Sequence, residues 1–205
     1  MVVNPPQFSR IDVPYDKILA RLGYAQGKTQ IDAKTQEMIN GEIENSRILI
    51  NAKQTVSRSG VKITESGKVF LEPGLTIVSK SIYELLKDCS FAVGFAITAG
   101  AHLEEKRNQY LNIRETARAL ILDAIGSVAA EELAEITQNQ VAEEAAREGL
   151  SATRRFSPGY GDWNISGQGD FLRWLGAENI GIKLTAKFQM IPEKSISAII
   201  GLKKK

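Results

Sequence analysis

Residues 154–163 read Arg154-Arg155-Phe156-Ser157-Pro158-Gly159-Tyr160-Gly161-Asp162-Trp163 and separate a long helical region from a short C-terminal tail. Pro158 and Gly159 predict a tight turn, because proline fixes φ and glycine accepts a positive φ. A turn alone does not require the arginines and aromatic rings that surround it here. Ligand contacts concentrate on loops held by rigid elements. The segment is therefore either a structural turn or a binding loop, and its composition leaves both interpretations open.

Helical periodicity dominates the chain before this loop. The longest apolar pattern covers about residues 112–148, and Gly126-Ser127 predicts an interruption that bends it. Shorter helices are predicted for residues 16–23 and 32–46, from Ser81, which has the capping-box spacing to Glu84, and from Ala101.

Strand signals lie before the longest helix and in the tail. Short apolar runs separated by glycine turns within residues 48–71 predict antiparallel strands, and the apolar run at residues 91–100 predicts a buried strand. After the loop, residues 169–175 predict a short amphipathic helix. Residues 182–191 and 195–202 then predict two strands that form a hairpin around Pro192. These patterns indicate the α+β class, with long helices packed around a twisted antiparallel sheet.

Composition limits the classes of function. At 205 residues the chain can form a single domain with a substantial core, and a net charge of +2 is too small for a dedicated nucleic-acid surface. The single Cys89 excludes a disulfide framework and fits a reducing compartment. We find neither a membrane-spanning apolar run nor a secretory signal, so we expect a cytoplasmic protein without membrane or nucleic-acid partners.

Several catalytic chemistries lack their residues. His102 is the only histidine, which excludes multi-histidine metal sites, and no phosphate-binding glycine loop is present. Glu131 and Glu135 share a helix face because they are four residues apart. From spacing alone this face is most simply a solvated acidic stripe.

Three segments together resemble the activation domain of cobalamin-dependent methionine synthase. They are the Arg-Phe-Ser-Pro-Gly-Tyr loop at residues 155–160, the Lys-Leu-Thr strand that leads to Met190 and Pro192, and Ser195-Ile196-Ser197. Their order and spacing make the combination fairly specific over about residues 120–200. The resemblance implies a single S-adenosylmethionine-binding activation domain over residues 1–205. Residues 1–78 would supply N-terminal helices and short strands, and residues 79–205 the core helices, the loop and the C-terminal hairpin.

The resemblance also implies a function and a set of ligand-binding residues. It implies a stand-alone reactivation protein that binds S-adenosylmethionine as methyl donor for reductive remethylation of cob(II)alamin. The cobalamin is carried by a partner, a methionine synthase or another corrinoid protein, and a flavodoxin-like protein is the expected electron donor. The implied ligand-binding residues are Arg155, Ser157, Gly159, Tyr160 and Glu131, with no metal ligands and no catalytic side chain.

Each of these residues has chemistry that suits the ligand. Arg155 can bind the carboxylate of the ligand, Tyr160 can place its ring against the sulfonium or the adenine, and Glu131 can bind the ammonium or the ribose. Backbone groups at Ser157 and Gly159 are expected to be free for the ligand.

The sequence departs from the family at three points. The tyrosines that follow the Ser-x-Ser segment in the family are missing here, the N-terminal acidic ligand matches neither Asp12 nor Asp16 securely, and the cobalamin-binding module that lies beside the fused domain is missing, so the cobalamin is expected on a separate protein. Glu132 is the alternative to Glu131 if the register shifts by one residue. The alternative function is a docking module that binds a corrinoid protein without donating a methyl group. An unrelated small-molecule methyltransferase is disfavoured, since no glycine-rich strand–loop–helix entry is present.

Overall fold

The computed structural model describes residues 11–25, 30–64 and 67–205. The extended segment expected from Pro5 and Pro6 lies outside these residues. The helices are α1 (Tyr15–Arg21), α2 (Ala33–Leu49), α3 (Lys80–Leu86), α4 (His102–Asn112), α5 (Thr116–Arg147) and α6 (Gln168–Leu175). The strands are β1 (Lys53–Ile63), β2 (Val69–Leu71), β3 (Leu75–Ile77), β4 (Phe91–Thr98), β5 (Leu150–Ala152), β6 (Lys183–Leu184), β7 (Met190–Ile191) and β8 (Ser195–Lys204). The predicted α+β class is confirmed.

Six strands form one antiparallel sheet in the order β3-β2-β1-β4-β8-β5. In the interior of the sheet, β4 pairs with β8 in register from Phe91 opposite Leu202 to Thr98 opposite Ser195. The C-terminal strand therefore lies inside the sheet, because β5 covers its other edge.

Helices cover both faces of the sheet, and β4 divides its side chains between them. Val93, Phe95 and Ile97 belong to the core that contains α5. Ala92 and Ala96 face the opposite core, which contains α6. Residues on that second face are small, which lets the aromatic rings of α6 lie directly on the strand. The fully apolar sequence of β4 follows from burial on both faces.

A buried carboxylate joins helices α2, α4 and α5 beside the core that contains α5. Glu42 on α2 has no exposed surface. Its carboxylate accepts a hydrogen bond from the Tyr110 hydroxyl on α4 at 3.0 Å and one from Arg118 Nη1 on α5 at 2.6 Å. Because a buried charge is costly unless it is paired, this triad requires the three helices to stay together.

Four expectations about local structure are wrong. Gly60 does not form a turn between two strands, because it lies within β1, which is unbroken from Lys53 to Ile63. The predicted strand at residues 182–191 is instead two short strands, β6 and β7, which pair with each other in a separate sheet. It does not pair with β8, which pairs with β4 and β5. Ser79, not Ser81, caps α3 by accepting a hydrogen bond from the Ile82 amide. The Gly126-Ser127 position does not interrupt α5, which is one continuous helix of 32 residues.

Gly94 gives a direct test of the close packing on the second face. A β-carbon at Gly94 would lie 2.5 Å from Trp174 Cζ3, whereas one at Gly60 on β1 would meet no atom within 4 Å. We expect Gly94→Ala to lower the free energy of unfolding by about 1–3 kcal/mol through overpacking. Gly60→Ala is the matched control and should change it by less than about 0.5 kcal/mol. Urea unfolding measures both values, and equal effects would contradict the packing of α6 on β4.

Candidate functional site

A groove of about 440 Å³ opens between α5, the 154–160 loop and the start of β8. Its lining residues are Glu131, Arg154, Arg155, Phe156, Ser157, Pro158, Tyr160, Gln168, Met190, Ser195, Ile196 and Ser197. A second depression of about 680 Å³, here called the side lobe, continues from it toward Arg21 and Lys194. Both volumes share Glu131, Gln168, Met190, Ser195 and Ile196, so the two form one continuous cleft.

Backbone hydrogen bonds fasten the 154–160 loop to the central sheet. The Phe156 amide donates to the Ile199 carbonyl at 2.9 Å, and the Ile199 amide donates back to the Phe156 carbonyl at 2.8 Å. Since Ile199 lies on β8, the loop is positioned by the same strand that supplies Ser195 and Ser197 to the groove.

The turn itself is closed by internal hydrogen bonds. The Gly159 amide donates to the Trp163 carbonyl at 2.8 Å, and the Tyr160 amide donates to the Ser157 carbonyl at 3.2 Å. Gly159 has a φ of +92°, which disfavours a side chain at this position. Trp163 is buried against Phe171 with the two rings edge to face at 5.2 Å. The predicted turn is therefore confirmed, and its tryptophan anchors it in the second core.

Asp162 attaches the far side of the loop to the N-terminus of α3. Its carboxylate accepts hydrogen bonds from the Ser79 hydroxyl at 2.7 Å, the Lys80 amide at 2.6 Å and the Ser81 amide at 2.9 Å. These bonds, first the one from Ser79 and then those from Ser81, hold the pKa of Asp162 well below its usual range. The acid of the loop thus has a structural role.

The structure brings Arg155 and Glu131 together at the mouth of the groove. Arg155 Nη2 lies 2.6 Å from Glu131 Oε2, and the side chains are 29% and 57% exposed. We call these two residues the charged rim. Tyr160 is 68% exposed and lies edge to face with Phe156 at a centroid distance of 6.5 Å. These residues come from two places in the chain, helix α5 and the 154–160 loop, and the fold places them around one opening.

Two expectations about this region need correction. The Gly159 amide is not free for a ligand, because it closes the turn, and the Ser157 carbonyl is engaged in the same way. The Ser157 amide has no hydrogen-bond partner among the described residues, as expected, and neither does the Ser157 hydroxyl, about which the sequence made no prediction.

The alternative acidic residues lie elsewhere. Glu132 pairs with Lys17 on α1 and lines a further depression, which Glu131 also lines, but it does not line the groove itself. Within residues 11–25, Asp12 and Asp16 line neither the groove nor the side lobe. In the chain's own geometry, Glu131 is therefore the carboxylate that faces Arg155.

Ser197, Met190 and Gln168 are among the groove residues that were not expected from the sequence as ligand contacts. Ser197 and Met190 lie within the quoted motifs, and strand alternation places Ser197 on the same face of β8 as Ser195. Gln168 carried no sequence signal, because it reaches the groove only through the packing of α6.

A charged network fixes the junction between β7 and β8. Arg107 Nη1 lies 2.9 Å from Asp123 and 2.8 Å from Glu193, and Lys194 Nζ lies 2.7 Å from Asp123. Burial acts to raise the pKa of Asp123, but the hydrogen bonds from Lys194 and Arg107 outweigh it and hold the pKa below its ordinary value. This network orients Lys194 in the side lobe and holds the start of β8.

Two properties of the described residues bear on cofactors and membranes. They contain no group of three histidine, cysteine or acidic residues that could hold a metal ion. In the same ranges, no helix is both long and apolar enough to cross a membrane.

Cys89 is buried and unpaired, and burial raises the pKa of its thiol. His102 is exposed at the first turn of α4.

Comparison with known proteins places this geometry in a family. The family model for the vitamin B12 dependent methionine synthase activation domain matches residues 82–205, which is more than half of the chain. None of the curated proteins compared with the chain matches it.

A solved structure of the MetH reactivation domain bound to AdoHcy is similar to the chain with a TM-score of 0.67 and 15% sequence identity. The match covers 93% of this chain and 70% of that one. At this identity the likeness establishes the fold.

The Asp162 contacts predict a pH-dependent contribution to stability. Because the folded-state pKa is depressed, the stabilisation is fully present above the ordinary carboxyl value of about 4 and is lost as the pH falls below it. Asp162→Asn should therefore lower the melting temperature at pH 6–7, and the difference from the unmodified protein should shrink below about pH 4.

Circular dichroism melts between pH 3 and 7 measure this difference. Asp170→Asn, on the exposed face of α6, removes one negative charge without touching the loop and is the matched control. A difference between Asp162→Asn and the unmodified protein that stays constant over this pH range would contradict the assignment.

Proposed function

The chain belongs to the family of vitamin B12 dependent methionine synthase activation domains, and we propose that it binds S-adenosylmethionine in the groove. In this proposal the bound ligand is the methyl donor for reductive remethylation of cob(II)alamin, which a partner protein carries. The observation that supports it most directly is the charged rim, where Arg155 and Glu131 face each other at 2.6 Å across the opening.

The charged rim complements the amino-acid end of the ligand. That end carries one carboxylate and one ammonium, and the rim offers one guanidinium and one carboxylate. When the ligand enters, its carboxylate replaces Glu131 as the partner of Arg155, and its ammonium replaces Arg155 as the partner of Glu131. Each charge exchanges one partner for another, so none is left buried and unpaired. The planar guanidinium also suits a bidentate contact with a carboxylate.

The loop supplies the remaining contacts on the open side. Tyr160 presents an exposed ring to the sulfonium or the adenine, an attraction of about 0.5–2 kcal/mol. The Ser157 amide and hydroxyl, which have no partner among the described residues, are donors for the ligand. Gly159 contributes by shape: its positive φ forms the turn that places Ser157 and Tyr160 at the opening.

The reaction requires a partner, because this chain's role is to hold the donor. The methyl group leaves the sulfonium while the bonding electrons stay on sulfur, so the product is S-adenosylhomocysteine. The acceptor is the reduced cobalamin of the partner, and a flavodoxin-like protein is the proposed source of the electron. Residues of the groove position the methyl group and keep the amino-acid end fixed during the transfer.

Arg155 gives the first test. Arg155→Ala should weaken binding of S-adenosylhomocysteine by about 10- to 100-fold, as expected for losing a hydrogen bond to a charged group. It should leave binding of 5′-methylthioadenosine unchanged, because that compound lacks the amino-acid end. Isothermal titration calorimetry measures both affinities.

Arg173→Ala removes an exposed arginine of α6 outside the groove and serves as the control. Equal losses for both ligands with Arg155→Ala would contradict a contact between Arg155 and the amino-acid end. Absence of any binding by the unmodified protein at millimolar ligand would contradict the proposed function.

A reconstituted assay separates methyl donation from docking alone. We expect the chain, mixed with a cobalamin-binding methionine synthase module, a reductant and S-adenosylmethionine, to form methylcobalamin, which its absorption spectrum identifies. Arg155→Ala should reduce the rate by about the factor lost in binding at subsaturating ligand. A stable complex with the module but no methylcobalamin would favour the docking function instead, and in that case Tyr160→Ala would leave the complex intact.

A further inference from the structure

The Ser197 hydroxyl is a buried polar group that the contacts of the charged rim leave unused. Ser197 is 2% exposed and lines the groove. Its Oγ has no hydrogen-bond partner, a property it shares in the described part of the chain with Tyr15 Oη and Gln54 Nε2. Of these three atoms, only Ser197 Oγ belongs to a residue that lines the groove. A buried hydroxyl without a partner costs free energy, and a ligand in the groove would supply one.

Gln168 supplies a second polar side chain that lines the groove. Its side chain is buried, with the residue 5% exposed, and its Nε2 donates to the Phe188 carbonyl at 2.7 Å. Because a carbonyl can only accept, this bond fixes the orientation of the side-chain amide. The Gln168 Oε1 atom is therefore the acceptor that remains for a ligand.

Met190 also lines the groove, and we call these three uncharged residues the floor. Ser195, which also lines the groove, is already satisfied, because its hydroxyl donates to the Pro192 carbonyl at 2.7 Å. A charged ligand end belongs at the more exposed rim, since burying it among neutral groups is costly. A neutral heteroaromatic ring can occupy the floor at much lower cost.

We infer that the Ser197 hydroxyl and the Gln168 amide oxygen read the hydrogen-bonding edge of the adenine ring. Adenine presents an amino group that donates next to a ring nitrogen that accepts. Gln168 Oε1 accepts from the amino group, and Ser197 Oγ donates to the adjacent ring nitrogen. Met190 provides an apolar, polarisable contact beside the ring. This inference rests on the proposed function and assigns the part of the groove that selects the nucleoside.

The test compares Ser197→Ala with the unmodified protein on ligands that differ by one atom. The ligands are S-adenosylhomocysteine and its 1-deaza and 7-deaza analogues, in which a ring nitrogen is replaced by CH. The unmodified protein should bind one of the two analogues about tenfold more weakly than S-adenosylhomocysteine. Ser197→Ala should bind S-adenosylhomocysteine about tenfold more weakly and should no longer distinguish it from that analogue.

A further ligand tests the Gln168 contact. S-inosylhomocysteine carries an oxygen where adenine carries the amino group. This oxygen and Gln168 Oε1 are both acceptors, so no hydrogen bond can form between them. Both the unmodified protein and Ser197→Ala should bind it at least about tenfold more weakly than S-adenosylhomocysteine. Equal binding of the two ligands by the unmodified protein would overturn the role of Gln168.

Folding of the variant is checked separately. Ser197→Ala breaks no hydrogen bond of the ligand-free protein, so its melting temperature should not fall. Ser46→Ala, which removes a buried hydroxyl on α2 away from the groove, is the matched control and should leave all ligand affinities unchanged.

Two outcomes separate this inference from the proposed function. If the unmodified protein binds S-adenosylhomocysteine but Ser197→Ala keeps its preference over the deaza analogues, the base-reading role is overturned and the proposed function stands. If the unmodified protein binds none of these ligands, the proposed function itself fails.

Discussion

The antiparallel pairing of β4 with β8 is the interaction on which the rest of this structure depends. Both strands carry helices on both faces, so their side chains are fixed from each side. Because the 154–160 loop bonds to β8 through Phe156 and Ile199, the position of the loop follows from this pairing. Ser195 and Ser197 reach the groove from the same strand. A change in the register of β8 would therefore displace the loop and the floor of the groove together.

The charges around the groove are divided between two roles. Arg155 and Glu131 pair with each other at an exposed position, where an ion pair contributes little to stability and can exchange partners easily. The network of Arg107, Asp123 and Lys194 is less exposed and holds the junction between β7 and β8. The fold is thus secured by the second set of charges, which leaves the charged rim able to respond to a ligand.

Sequence patterns identified most elements because their periods were strong. The apolar run of β4 and the long repeat of α5 each indicated a single type of element, and Pro158-Gly159 indicated the turn. The C-terminal hairpin was wrong because adjacent strands in a sequence usually pair. Here β8 instead fills the place beside β4, where its apolar residues are buried on both faces. Local periodicity cannot reveal such a choice between partners, since it depends on the total area buried.

By itself the sequence determined the α+β class, the turn at residues 158–159 and, through a resemblance, the residues proposed to bind the ligand. Only the tertiary structure decided that Arg155 faces Glu131 and that Glu132 pairs with Lys17. It also decided that the Gly159 amide closes the turn and that Ser197 is left without a partner in the groove. The physical reason is that hydrogen bonding and burial depend on atoms brought together from distant parts of the chain, whereas propensity and spacing report only on neighbours in sequence.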